Sequence, residues 1–233
     1  MQIFSNRQLA AITAALALLL LAWDMSGLDL PLAHWFGGPA GFPLRDDAFL
    51  TGVLHEGAKR VAWVLALLLC VAVWWPVGGF RRLAPLRRFQ LAATTLLAVL
   101  VVSALKSVST TSCPWSLADF GSVAHYTPHW THVFAPDGGS GQCFPAGHAA
   151  SGFAFVGGYF AFRHTAPVIA RRWLAVSLLA GLVLGLAQQV RGAHFTSHTL
   201  WTAFICWCVA WAADSLCTRV ASSPLARDMG ETA

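Results

Sequence analysis

Apolar positions along this chain neither alternate nor recur at the three-to-four-residue spacing of an amphipathic helix. They come as six nearly unbroken runs, at residues 9–23, 61–75, 91–105, 146–162, 173–188 and 200–216. A helix that is apolar on every face belongs in a protein interior or in a bilayer. A membrane crossing takes about 20 residues; several runs are shorter, and small or weakly polar neighbours extend each one. The pattern predicts an all-α fold: an integral membrane bundle of six transmembrane helices, forming a single domain over residues 1–233. The first run is not read as a signal peptide, because it closes with Leu21-Ala22-Trp23-Asp24-Met25 and shows no small-x-small cleavage site. Residues 29–49, rich in glycine and proline, read as an interfacial loop with a short amphipathic piece. Composition agrees: 57% of residues are hydrophobic and 11% charged, against about 25% charged in a soluble domain.

The formal net charge is +5, and its placement reports topology more than a partner. With six spans and both ends on one side, the N-terminus, residues 78–90, residues 163–172 and the C-terminus share a face. They hold Arg7; Arg81, Arg82, Arg87 and Arg88; Arg163, Arg171 and Arg172; and Arg219 and Arg227, ten of the fifteen basic residues. Basic loops stay cytoplasmic, so both termini are expected inside. Lys106, His148 and Arg191 then face outward, which in a bacterial inner membrane is the periplasm. No nucleic-acid partner is expected. Cys70, Cys206, Cys208 and Cys217 lie in or beside spans, where a thiol acts as a small hydrophobe. Cys113 and Cys143 lie in the outer loop on the oxidising side, placed for a disulfide; two free thiols are the alternative.

Polar chemistry gathers at three outward places: residues 106–115 (KSVSTTSCPW), residues 143–152 (CFPAGHAASG) and residues 190–201 (VRGAHFTSHTLW). In the second, Pro145 suits the first turn of a helix. Ala146 and Gly147 would leave backbone amides reachable for an anion at that helix start, with His148 beside it. Close helix packing in a membrane explains the small residues equally well, but not His148.

Taken in order, these segments resemble the signature of the type 2 phosphatidic acid phosphatase family, membrane branch: K-x6-R-P, P-S-G-H and S-R-x5-H-x3-D at the outer ends of a six-helix bundle. Lys106 is followed after six residues by Cys113-Pro114. Pro145-Ala146-Gly147-His148 matches the second motif with alanine for serine, His194 takes the third-motif histidine, and His198 stands where the family has aspartate. Both family arginines are absent, replaced by Cys113 and Gln188, while Arg191 stands one helical turn beyond Gln188. The resemblance implies that His194 attacks phosphorus to form a phosphohistidine. It implies that His148 protonates the leaving oxygen and then activates water. Lys106, Arg191 and the amides of Ala146 and Gly147 would hold the phosphate. His198, on the same face as His194 if the segment is helical, would accept a hydrogen bond from it. No metal or other cofactor is implied.

Blander readings stand beside these. Lys106 can snorkel, Arg191 can anchor to headgroups, and Gln188 and Gln189 can bond between helices. His125, His129 and His132 read as surface residues of a Gly/Pro-rich loop, and His55 and Glu56 as interfacial residues before the second span. The expected function is hydrolysis of a phosphate monoester or pyrophosphate on a membrane lipid at the outer face. Phosphatidic acid, phosphatidylglycerophosphate, undecaprenyl pyrophosphate and lipid A phosphates are equal candidates, and the residues do not determine the oligomeric state. A lipid phosphotransferase using the same phosphohistidine is the first alternative. A metal- or haem-binding membrane protein, with His148, His194 and His198 as metal ligands, is the second.

Overall fold

The computed structural model describes residues 4–130 and 135–221, and each of the six apolar runs forms a helix in it. Helix α1 spans Asn6–Ser26, α2 Asp29–Ala33, α3 Phe49–Trp74, α4 Pro85–Val108, α5 Ala150–Phe162, α6 Pro167–Val190 and α7 Thr196–Ala221. All but α2 and α5 are long and apolar enough to cross a membrane. No β-strand occurs among the described residues.

Local chemistry sets the helix ends. Ser5 caps α1 reciprocally: its hydroxyl accepts from the Gln8 amide at 3.3 Å and its amide donates to Gln8 Oε1 at 2.8 Å, the capping-box arrangement. Helices α4 and α6 open on Pro85 and Pro167, whose missing N–H has no helical partner to lose. Beyond α6, Gly192 takes φ +74°, and a Cβ there would strike the Phe42 ring, so both backbone and space require glycine. Helix α3 begins with a π-helical stretch, Phe49–Gly57, well upstream of the apolar run that announced it.

Helix α5 departs from the expected 146–162 span. Its helical part has 13 residues, about 20 Å at 1.5 Å per residue, against a hydrocarbon layer of about 30 Å. Pro145 is therefore not in a helical first turn; the chain turns through 146–149 before the helix starts at Ala150. A short helix suffices here because α4, α6 and α7 surround it, and every residue in it except Ser151 and Phe155 is buried. Glycine permits the closeness: a Cβ on Gly152 would run into the Gly181 backbone, and one on Gly181 into the Phe153 ring. Small-residue contact of this kind drives helix packing where lipid removes the hydrophobic incentive.

Chain directions alternate through the bundle. The start of α4 meets the far end of α7, where Asp214, 1% exposed, receives Arg87 Nη1 at 2.6 Å and Arg163 Nη2 at 2.7 Å. The end of α4 instead brings Lys106 against Gly147. One end of the bundle thus carries the Asp214 cluster and the opposite end carries all three polar motifs.

Removing the shared carboxylate would leave the buried Arg163 guanidinium without a counter-charge. Asp214→Ala is expected to cost about 3–5 kcal/mol, read as a lower Tm of the detergent-solubilised protein. A variant melting with the wild type would show that the cluster contributes little.

Candidate active site

Two loops close the motif end of the bundle. Residues from 29–48 and 109–130 share a small apolar cluster with Phe195: Ala33, Phe42, Leu117, Phe120 and Ala124. Asp137 fastens the second loop by accepting from the Ser112 amide at 2.6 Å and its hydroxyl at 2.7 Å. Cys113 and Cys143 are disulfide-bonded, with Cα atoms 5.2 Å apart. The Trp115 amide donates to Gly192 O at 2.9 Å, tying this loop to the turn after α6.

That turn carries His194, which precedes α7 rather than lying on it; the helical i, i+4 placement expected for His194 and His198 is not what forms. Gly192's left-handed turn and the N-terminal position of His198 in α7 bring the rings together anyway, Nδ1 to Nδ1 at 3.4 Å. Cys143 Sγ lies 3.5 Å from the same His194 nitrogen. Asp29, only 7% exposed, caps α7 from outside by accepting from the Ser197 amide at 3.0 Å and from the Ser197 hydroxyl. A carboxylate at this helix N-terminus is favoured by the dipole.

The second motif is stitched to the third through the backbone. The Ala146 amide donates to His198 O at 3.3 Å, and the Thr202 hydroxyl donates to His198 O at 2.7 Å. Ala146 is therefore not an anion donor, a correction to the expectation from the sequence: its N–H is spent on holding the site together. The amides of Gly147, His148 and Ala149 have no hydrogen-bond partner among the described residues. Lys106 Nζ donates to Gln142 O at 2.6 Å, and its side chain runs beside Gly147.

Arg191 is 8% exposed; its Nε donates to Arg45 O at 2.8 Å and its Nη1 to Gln188 Oε1 at 3.1 Å, with the guanidinium 6.0 Å from the centre of the Trp115 ring. It points inward, not into surrounding headgroups, and shares its place with the glutamine that replaces a family arginine. Gln189 bonds Thr196 and Thr199, linking α6 to α7.

Burial sets the protonation states. Desolvation, then the charges of Lys106 and His148, hold His194 well below the usual histidine range. Burial pushes His148 down to about 4. Both imidazoles are neutral at pH 7, the state a nucleophile or a base requires.

Three residues escaped the sequence reading. His55, expected at the interface before the second span, lies within α3 and stacks on His148; the π-helical start of α3 left no sequence signal. His129, expected on the surface, has a side chain 5% exposed, stacked on Phe144 and 3.5 Å from Asp24. Asp24 also accepts from Trp130 and Trp201, each at 2.8 Å. Asp29 lay in a loop read as interfacial. His125 is exposed as expected, and His132 lies outside the described residues. The three-histidine metal set is not assembled either: the donors that converge are those of Cys143, His194 and His198, and Cys143 is held in the disulfide.

The sequence model of the PAP2 superfamily matches residues 88–219, more than half of the chain and all three motif segments. The chain belongs to the PAP2 superfamily. Comparison with curated proteins and with solved structures finds no match. Membership in the PAP2 superfamily points to phosphatase activity on phosphate esters, and several apolar helices make this a membrane protein.

The disulfide closes a separation of 30 residues, for which chain-entropy reasoning gives roughly 3–4 kcal/mol. Cys113→Ser is expected to lower Tm accordingly. Mass spectrometry of protein made under oxidising conditions checks the pairing; two free thiols would remove the basis for the loss.

Proposed function

We propose that this PAP2 protein hydrolyses a phosphate monoester or pyrophosphate on a membrane lipid, at the outer face of a bacterial inner membrane, through a phosphohistidine at His194. The observation that carries this is the His194–His198 contact at Nδ1. When His194 Nδ1–H donates to His198 Nδ1, the lone pair of His194 sits on Nε2, the nitrogen left to attack. The opposite tautomer would place that lone pair on Nδ1 and silence the nucleophile. His198 thus serves the orienting role of an aspartate, without its charge.

Phosphorus accepts the Nε2 lone pair as its bond to the leaving oxygen breaks, and His148 supplies the proton that oxygen needs. Water then attacks the phosphorus, His148 takes its proton, and the N–P bond breaks to return neutral His194. With His148 near 4 in the free protein, it is loaded as an acid only when a phosphate anion enters, since an adjacent negative charge raises an imidazole's proton affinity. Lys106, Arg191 and the free amides around Gly147 stabilise the charge that develops on the non-bridging oxygens.

A lipid substrate is favoured by what lies beneath the site. An apolar cavity of about 1000 Å³ runs between α3 and α6, from Val53 and Leu54 beside His55 to Phe80 and Trp173 at the other end. It can hold hydrocarbon while the phosphate sits above. Outward orientation is supported by the bundle, since Arg87 and Arg163 lie at the end opposite His194, and basic residues favour the cytoplasmic side.

His194→Ala is expected to release less than a tenth of the wild-type phosphate from every member of a lipid-phosphate panel, because loss of one member of a catalytic unit removes most of its effect. Retained turnover would reject the nucleophile. Arg191→Ala is expected to lose on the order of 2–4 kcal/mol of transition-state stabilisation, roughly 30- to 1,000-fold in kcat/KM. Arg191→Lys should not rescue it, since an ammonium lacks the planar fork of a guanidinium. Near-wild-type kcat/KM in Arg191→Ala would reduce Arg191 to a scaffold residue.

A further inference from the structure

The mechanism leaves His55 without a task. His55 stands on α3, outside all three motifs, yet its ring lies face to face with His148, centroids 3.4 Å apart and planes within 8°. Its backbone carbonyl accepts from His148 Nε2 at 2.8 Å.

We propose that His55 is a positioning residue for the acid–base step, its carbonyl fixing the His148 tautomer and its ring fixing the His148 plane, so that His148 exchanges protons through Nδ1. This rests on the phosphatase reading above. A carbonyl oxygen only accepts, so His148 Nε2 must carry hydrogen. In the neutral ring the lone pair is then on Nδ1, the nitrogen His55 leaves uncommitted. The proton given to the leaving oxygen departs from Nδ1, and the proton taken from water returns to it, so the ring ends the cycle as it began.

The stack adds a second constraint. Two imidazolium rings at this separation repel each other strongly, so the pair holds one proton at most in the working pH range. The surroundings reinforce this. Around His55 lie Glu56, 3.5 Å away on the same helix, then Lys59, and from the end of α6 Gln188 and Arg191; Lys59 and Glu56 also act on His148. Two cations against one carboxylate oppose a second proton. The carbonyl doing the holding belongs to the π-helical stretch Phe49–Gly57, a helix form that recurs at functional sites in short segments.

Two variants separate positioning from scaffolding. His55→Phe keeps a flat ring and the carbonyl but removes the second ionisable group; His55→Ala keeps the carbonyl and removes the ring. Each is read by the titration of His148 in histidine-labelled protein by NMR, and by kcat and KM across pH on a lipid phosphate. His55→Phe is expected to hold kcat within about threefold and to raise the apparent pKa of His148 by about one unit. His55→Ala is expected to lower kcat about tenfold with KM little changed, since proton transfer and not binding loses its geometry. The proposal is overturned if neither variant moves the His148 titration, or if both lose kcat and KM alike with that titration unmoved. Should the wild-type protein release phosphate from no lipid, the phosphatase reading would fall, while the titration would still decide whether the two rings share one proton.

Discussion

The hydrogen bond from the Ala146 amide to the His198 carbonyl joins two segments that lie some fifty residues apart in the chain. The chain turns through the residues that follow, and α5 starts only at Ala150. His148 sits in that turn, where its amide and those of Gly147 and Ala149 have no hydrogen-bond partner among the described residues. The same bond places the start of α7 beside that turn, with the Thr202 hydroxyl donating to His198 O. Together with the Cys113–Cys143 disulfide, Lys106 Nζ to Gln142 O and the Trp115 amide to Gly192 O, this stitch draws the three PAP2 motif segments to one place.

Everything placed around that stitch meets the cost of burying polar groups in an apolar surround. Charged side chains are tolerated there only when paired or hydrogen-bonded, and the protein complies. Lys106 has Gln142 O, Arg191 has Arg45 O and Gln188, and Asp29 has Ser197 and Trp23. His148 and His194 comply by staying neutral. Some buried polar atoms still lack a partner among the described residues, His198 Nε2 and Gln188 Nε2 at the motif end and Arg88 Nε and Arg163 Nε at the opposite end.

The replacement of two family arginines follows the same logic. Cys113 exchanges a charge for a covalent tie that holds Cys143 against His194. Gln188 gives up a charge yet accepts from Arg191, so one guanidinium remains in the neighbourhood where the family pattern would have put it. The change conserves a cation near the site while lowering the number that must be desolvated.

Much of this was legible in the chain, because a bilayer writes its demands locally. Six apolar runs are six helices, since no other backbone form satisfies its own hydrogen bonds there. Lys106, His148 and His194 were singled out because polar residues in such a chain need a reason, and Cys113 and Cys143 because both lie in the outer loop expected on the oxidising side. Arg191 and Gln188 were paired by their separation of one turn. What tertiary structure alone decided depends on contacts between distant segments. Ala146 lost its role to His198 O, His194 and His198 met without a helix between them, and α5 could stop short because protein surrounds it. His55 reached His148 through a π-helical start that sequence periodicity does not encode. The sequence by itself determined which groups are too polar to be idle in a membrane; only the fold decided which of them touch, because hydrogen bonds and ring stacks are set by distances across helices rather than along them.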